Sequence, residues 1–269
     1  MLCRVKHGMF ACIAATVLAW APPSWAQAST SRPLPHLTPV GDAVVIPGIE
    51  IQPVTGGRDS VSVKVQLRNM SQKAVYAVGM ELTPTYADGS QGKPSSQGVD
   101  LLALYISNAE LPLALRTKTN SLLRPGETHI ETVEVPVGKD GLAPVGVSGT
   151  VTAVVLEDRT ALGDGATVQS FLTHRDFQAR LYSAVLDDLR AAAASVDPLK
   201  AVEARQQDIL AGRASDVSAE VASMRAQTLR MVMSGLKAGG AAAIGREIEN
   251  YRVRAEETAR HATLAGGAK

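Results

Sequence analysis

Hydrophobic and polar residues alternate in two neighbouring segments, 60–68 and 74–83. In the first segment, the apolar positions are Val61, Val63, Val65 and Leu67. In the second, the residues expected on one face are Tyr76, Val78, Met80 and Leu82. A period of two is typical of a strand with one buried face, and the polar residues between the segments favour a turn. The pattern therefore predicts two antiparallel neighbouring strands in a half-buried sheet.

The segments flanking this pair indicate further strands and a loop. Residues 43–54 are rich in β-branched side chains but contain Pro47, which has no N–H for a neighbouring strand, so we expect a kinked edge strand. Pro84 is expected to end the second strand, and 88–98 reads as a turn-rich loop suited to binding or to a mobile hairpin end. Residues 100–106 are too few for periodicity to distinguish a strand from a helical turn.

Three later segments complete the predicted β region. Residues 128–135 and 145–156 indicate two strands, the second with a bulge at Gly149. Residues 157–160 indicate a hairpin turn into a short last strand. Short strands separated by frequent turns predict an antiparallel β-sandwich over 43–164.

The period changes from Ala166 onward. Apolar residues recur every four positions at Phe177, Leu181, Val185 and Leu189, which is typical of an amphipathic helix. Asp197 before Pro198 predicts the start of another helix, and Gly239 with Gly240 predicts the end of a third. We therefore expect an α-helical region at 165–265, folded as a hairpin or small bundle, and a disordered tail at 266–269.

The amino terminus has the three-part layout of a secretory signal peptide. Two basic residues precede an apolar run at 8–21, and Ala26-Gln27-Ala28 is a small-x-small cleavage site. The run is shorter than the roughly 20 residues that span a bilayer as a helix. We therefore predict a signal peptide at 1–28, a flexible leader at 29–42, and a protein exported to the bacterial periplasm or secreted.

Composition removes several classes of function. The formal net charge is +1, so nothing indicates electrostatic binding of nucleic acid. Cys3 and Cys12 are the only cysteines of the sequence, and both lie in the predicted signal peptide. The mature chain is therefore expected to have no disulfide and no cysteine-ligated metal.

Three short motifs accompany the predicted strands. They are Asn69-Met70-Ser71, Tyr86-Ala87-Asp88-Gly89 and Leu123-Arg124-Pro125-Gly126-Glu127-Thr128. Together they resemble the turn motifs of bacterial extracytoplasmic immunoglobulin-like modules, including the FxLYD type, over about residues 43–163. The chain departs from that family in having Tyr-Ala-Asp-Gly in place of Tyr-Asp, with Pro84 just before it. The resemblance implies an immunoglobulin-like sandwich and an extracytoplasmic role, and it carries over no catalytic residue.

Candidate metal and anion sites lie among the histidines, the acidic clusters and the basic clusters. The four histidines outside the predicted signal peptide, none in a metal-ligand spacing, are His36, His129, His174 and His261. Three acids cluster around one turn, either as calcium ligands or, as we favour, as a solvated hairpin: Glu157, Asp158 and Asp164. A small basic patch suits an acidic glycan or protein or, as we favour, forms a solvated rim: Arg116, Lys118 and Arg124. We predict no metal and no cofactor.

Two functions remain open. The first is a non-catalytic binding protein that contacts a protein partner through sandwich loops or helices, or associates with itself through alanine-rich helical faces. The methionines of the helical region are read as core residues: Met224, Met231 and Met233. The alternative is an exported hydrolase or glycan-acting enzyme with an acidic site at the sandwich–helix junction, using Asp100, Glu157 or Asp158. Helices lying on a membrane surface are disfavoured because their polar faces mix acids and bases.

Overall fold

The computed structural model describes residues 37–52, 60–107, 122–138, 141–215, 217, 219–239 and 243–265, which form seven strands and five helices. The strands are β1 (Val44–Ile51), β2 (Ser60–Asn69), β3 (Val75–Tyr86), β4 (Ser95–Val99), β5 (Thr128–Pro136), β6 (Pro144–Leu156) and β7 (Ala161–Gly163). The helices are α1 (Leu101–Ser107), α2 (Gly165–Ala193), α3 (Pro198–Leu210), α4 (Ala219–Gly239) and α5 (Ala243–Arg260). The predicted signal peptide, most of the predicted leader and the predicted tail lie outside the described residues.

The strands form two antiparallel sheets, with the orders β1-β2-β5 and β4-β3-β6-β7. β1 is an edge strand whose pairing with β2 is irregular between Val45 and Gly48, which confirms the predicted kink around Pro47. The predicted hairpin turn between β6 and β7 is also confirmed, with Arg159 at a φ of 66°. Four of the five described helices follow β7, so an antiparallel β region does precede a helical C-terminal region.

The expectation that segments 60–68 and 74–83 are neighbouring strands is wrong. β2 pairs with β1 and β5, whereas β3 pairs with β4 and β6, so the chain crosses to the other sheet after Asn69. The buried side-chain amide of Asn69 stabilises this crossing by donating to the carbonyls of Lys73 and Leu123, both at 2.8 Å. Alternation of apolar and polar residues shows which face of a strand is buried, but not which strand it pairs with. Periodicity therefore could not reveal the crossing.

Two boundary predictions in the second sheet are wrong. Pro84 does not end β3, which continues to Tyr86 with Pro84 opposite Val147. The segment 88–98 is not a single loop, because β4 begins inside it and pairs with β3. β4 is only five residues long and consists mainly of Ser, Gln and Gly, a composition equally typical of a turn.

Gly149 is a close-packing position and not the predicted bulge. It pairs with Leu82, and the register shifts between β3 and β6 lie elsewhere. A Cβ on Gly149 would lie 2.9 Å from Cδ2 of Leu82 and 3.0 Å from the Cδ1 atoms of Ile46 and Ile49. Since both isoleucines belong to β1, the missing side chain lets the two sheets approach each other here.

One hydrophobic cluster contains buried side chains from both sheets. Its fully buried members include Val63, Val65, Leu67, Val78, Met80 and Leu82. Each side chain of this size stabilises the fold by roughly 1.5–3 kcal/mol when fully buried. The alternating residues of β2 and β3 therefore contribute to the same cluster, which explains why both strands show the same pattern.

The C-terminal helices begin and end close to the predicted positions. The carboxylate of Asp164 caps α2 by accepting a backbone hydrogen bond at 2.7 Å. Asp197 caps α3 in the same way, with Pro198 at the first helical position, as predicted. α4 ends at Gly239. Within the described part of the chain, no helix combines the length and the hydropathy needed to cross a membrane.

The helices pack directly on the β region. A small cluster beneath α2 joins the outer face of the second sheet to that helix through Ala77, Ala153, Val155, Ala161, Val168, Phe171 and Leu172. Gly79 allows this approach, because a Cβ there would lie 2.5 Å from the Thr167 methyl carbon. A larger cluster within the helices also includes Leu102 and Ile106 of α1. The short α1 therefore links the helical core to the sheet.

Candidate functional site

Tyr76 faces the helices because β3 changes register beside it. The pairing of β3 with β6 shifts between Val75 and Ala77. Val75 and Val78 consequently belong to the cluster shared by the two sheets, Ala77 lies beneath α2, and Tyr76 packs against the helical cluster. The expectation that Tyr76 shares a face with Val78 is therefore wrong, since one extra residue reverses the alternation.

A pocket of about 470 Å³ lies where β3, α1 and α5 meet. We call it the junction pocket. Its apolar and aromatic lining comprises Tyr76, Leu102, Tyr105, Ile106, Leu122 and Val253. Leu102 and Ile106 are buried, whereas Tyr105 and Val253 are 39% and 41% exposed and form an apolar rim. The volume is in the range of pockets that bind small ligands or single side chains.

The polar lining of the junction pocket comes from α5 and the residue that follows it. These residues are Asn250, Arg254, Glu257 and His261. Their spacing of four, three and four places them on one face of the helix. The exposed ion pairs of Arg252 with Glu249 and Glu256 use other positions of the same helix. One face of α5, continued by His261, therefore supplies these four polar side chains.

Arg254 is fixed within this wall. Its Nη2 donates to the carbonyl of Ser107 at 3.0 Å. Its guanidinium carbon lies 5.1 Å from the ring centroid of Tyr251 and 5.9 Å from that of Tyr182. Contacts of this kind stabilise a buried cation on aromatic faces, so Arg254 joins α5 to the end of α1 and to α2.

His261 closes the pocket next to Tyr76. The two rings meet edge to face, with centroids 5.1 Å apart. The imidazole is buried, and its Nδ1 has no hydrogen-bond partner among the described residues. Burial, followed by the charge of Arg175, lowers the pKa of His261 below its ordinary value of 6.5. The environment of the ring therefore favours its uncharged form.

Arg175 ties the elements around the pocket together. Its Nε and Nη2 donate to the two carboxylate oxygens of Asp100 at 2.8 and 2.9 Å. Nη1 donates to the carbonyl of His261 at 3.2 Å, and Nη2 also donates to that of Tyr76 at 3.3 Å. Asp100 in turn accepts from the N–H of Ala103 at 3.0 Å and so caps α1. This buried ion pair therefore joins α1, α2, β3 and the turn after α5.

The acids proposed for calcium or for hydrolysis are not brought together. Asp100 is engaged by Arg175, as described above. Asp158 forms an exposed ion pair with Lys73, and the hydrogen bond from Lys73 lowers the pKa of Asp158. Asp164 caps α2, and its hydrogen bonds to Thr167 lower the pKa of Asp164. The described residues contain no group of three or more His, Cys, Asp or Glu side chains suited to a metal ion.

The predicted histidines and basic residues that the structure describes lie on different elements. His129 on β5 is buried, with its Nε2 2.9 Å from Oε2 of Glu131. His174 on α2 is near Asp100 and Arg175, and burial lowers the pKa of His174. Arg124 lies in the turn before β5. The remaining predicted residues fall outside the described part: His36, Arg116 and Lys118.

A second cavity, of about 740 Å³, lies among α2, α3 and α4. Its wall consists of four alanines and four charged residues. Asp188 accepts from Nε and Nη2 of Arg225, both at 2.7 Å, and from Nε of Arg205 at 2.8 Å. Two guanidinium groups thus share one buried carboxylate, and the cluster joins three helices.

The methionines do not all fill the core. Met233 is 7% exposed, but Met224 and Met231 are 40% and 61% exposed, so the core assignment is wrong for those two. Met224 and Met231 are seven residues apart and share a face of α4, whereas Met233 lies on its inner side.

Sequence reasoning missed Arg175, Arg254 and the junction pocket. Arg175 interrupts an apolar face of α2 and bonds to a residue 75 positions away, so no local pattern identifies it. The spacing of Asn250, Arg254, Glu257 and His261 on one face of α5 was the available signal. That spacing could indicate a polar stripe along α5, but it could not indicate the apolar residues that line the other side of the junction pocket.

Comparisons with known proteins leave the family open. No protein-family model matches the chain, and no curated protein matches it. Among solved structures, it is similar to a hypothetical protein from Peptoclostridium difficile 630, solved by X-ray crystallography. That likeness has 12% sequence identity and a TM-score of 0.27, and covers 46% of this chain and 87% of the other. A similarity this low carries no argument about fold or function.

Proposed function

We propose that the chain is an exported, non-catalytic binding protein of the bacterial envelope or extracellular space, and that the junction pocket receives an apolar side chain of a protein partner. The observation that carries this proposal is the pocket itself. Its buried aliphatic floor of Leu102 and Ile106 opens at the exposed rim of Tyr105 and Val253. An apolar side chain leaving water for such a site contributes roughly 1.5–3 kcal/mol.

An immunoglobulin-like β-sandwich is part of the same proposal. The hydrophobic cluster shared by the two sheets supports a sandwich. Two of the three family-like motifs also contact each other: the N–H of Gly126 donates to the carbonyl of Asn69 at 2.9 Å, and the N–H of Asn69 donates to that of Glu127 at 3.1 Å. Such mutual capping gives these turn motifs a structural role, as expected for an FxLYD-like module.

Export rests on the amino-terminal sequence and on cysteine usage. The predicted signal peptide at 1–28 contains Cys3 and Cys12, so processing would leave a chain without thiols. Edman sequencing of the protein recovered from the periplasm or medium should begin at Ser29. Recovery of the full-length chain from the cytoplasm alone would contradict export.

The binding proposal is tested by site-specific crosslinking. A photoreactive benzoylphenylalanine replaces Val253 on the pocket rim, and the mature chain is irradiated in envelope and culture-medium fractions of the producing cell. The matched control carries the same group at Val145, which is 64% exposed on β6 and does not line the pocket. We expect a discrete crosslinked protein at position 253 and none at 145.

The outcomes separate the hypotheses. A crosslinked product of twice the chain's mass would identify a second copy as the partner. Equal products at both positions, or none at 253, would contradict the proposal. No structural observation favours the hydrolase alternative, since Asp100 is occupied by Arg175. Turnover of an ester, peptide or glycoside substrate that disappears on Asp158→Ala would nonetheless replace the binding hypothesis.

A further inference from the structure

His261 occupies a position where added charge would be strongly disfavoured. Its ring lies against Tyr76, and its carbonyl accepts from Arg175. A protonated imidazole carries two N–H donors, but Nδ1 has no hydrogen-bond acceptor among the described residues. Burying a charge without such a partner costs free energy, so the neutral ring is the form that fits this site.

The surrounding guanidinium groups also lower the pKa of His261, whereas the carboxylate of Glu257 raises it. The titratable or charged groups around His261 include Tyr76 of β3, Arg175 of α2, Arg159 of the β6–β7 turn, and Glu257 and Arg260 of α5. Tyr105 of α1 and Arg254 of α5 line the same pocket. His174 of α2 also lies near Arg175 and Asp100. The guanidinium groups of Arg159, Arg175 and Arg260 disfavour a positive charge on the ring. The carboxylate of Glu257 favours that charge, but it is already paired with Arg260.

The turn after α5 is held by hydrogen bonds and by packing of Leu264 on the small cluster beneath α2. Besides the bond from Arg175 to the His261 carbonyl, the N–H of Ala265 donates to the carbonyl of Arg159 at 3.1 Å. Nη1 of Arg159 donates to the carbonyl of Arg260 at 3.5 Å. A cation introduced at His261 would lie among the groups that make these bonds.

We propose that the turn after α5 is an acid-sensitive latch, and that protonation of His261 releases residues 261–265 from the sheet and removes one wall of the junction pocket. This inference deepens the proposed function and rests on it, since it makes partner binding dependent on pH. Binding would be retained at neutral pH and lost in mildly acidic surroundings. The latched turn binds the proton on His261 more weakly than the open turn does, because the pKa of His261 is lowered when the turn is latched. The stability of the latched turn is therefore lost as the pH falls below 6.5, the ordinary pKa of histidine.

Hydrogen–deuterium exchange of the purified mature chain tests the latch without any partner. Exchange of peptides covering 254–265 is compared between about pH 7.5 and pH 5, with peptides from α3 as the internal reference for the intrinsic pH dependence. We expect the opening equilibrium of 254–265 to rise about tenfold in acid, relative to that reference. In the His261→Phe variant, which keeps the ring against Tyr76 but cannot be protonated, this rise should be absent.

Two further variants make the test specific. His129→Phe removes a buried histidine on β5, and it should leave the acid response of 254–265 unchanged. His174→Phe removes the other histidine near Arg175. The proposal is overturned if the acid response persists in His261→Phe, if it disappears only in His174→Phe, or if all peptides open together. None of these outcomes depends on the crosslinking result, so the latch and the binding function fail separately.

Discussion

The buried ion pair between Arg175 and Asp100 gives the sharpest test of how the helices are attached to the sheet. Arg175→Met keeps an apolar side chain of similar length but removes the guanidinium. Asp100, whose side chain is 9% exposed, would then be a buried carboxylate without its cation. The carbonyls of Tyr76 and His261 would each lose a donor as well.

The magnitude follows from this geometry. Removing one partner of a buried ion pair lowers the free energy of unfolding by about 3–5 kcal/mol, because the other charge stays buried. The free energy of unfolding of an ordinary domain is about 5–15 kcal/mol. The variant should therefore remain folded, but with a much smaller free energy of unfolding. Asp100→Asn in the Arg175→Met background removes the stranded charge while leaving a side chain that caps α1. The double variant should therefore recover part of the loss.

The assay is urea denaturation of the mature chain, followed by far-UV circular dichroism of the helices. Wild type, both single variants and the double variant form a double-mutant cycle. A loss of less than about 1 kcal/mol for Arg175→Met would match an exposed pair and would refute the inference of a buried attachment. A double variant as unstable as Arg175→Met alone would show that the stranded carboxylate is not the cause.

Three further stability predictions use the same denaturation assay. Asn69→Ala removes both buried donors of the sheet crossing and should cost about 1–3 kcal/mol; no measurable loss would mean that the crossing is held by the backbone alone. Gly149→Val should cost about 1–3 kcal/mol through overpacking, whereas Gly146→Val should be nearly neutral because its nearest neighbour would be 3.9 Å from the new Cβ; equal losses would contradict close packing at 149. Asp197→Ala should cost about 1 kcal/mol through loss of the α3 cap, and the exposed Asp187→Ala serves as its control; equal effects would argue against a specific cap.

Local chemistry predicted most of the elements. Asp197 identified the start of α3 because a side chain that caps a helix is only three residues from the N–H it binds. The alternation in β2 and the four-residue period of α2 likewise depend only on which face is buried. The predicted loop at 88–98 was wrong because β4 is short and composed mainly of turn residues.

The junction pocket was beyond this kind of reasoning. Tyr76 reaches it only because of a register shift, and that shift is a property of the pairing between β3 and β6. The apolar wall comes from α1 and the polar wall from α5, about 150 residues later in the chain. A helical stripe can be read from spacing, but the surface that it faces depends on tertiary packing.

The sequence by itself determined which residues favour strands, which favour helices, and where the helices are capped. It also contains the amino-terminal features that predict export. Only the tertiary structure decided that β2 and β3 belong to different sheets, that Arg175 binds Asp100, and that His261 lies buried against Tyr76. The physical reason is that periodicity and capping act over a few residues, whereas sheet assignment and buried ion pairs are chosen by packing among distant segments.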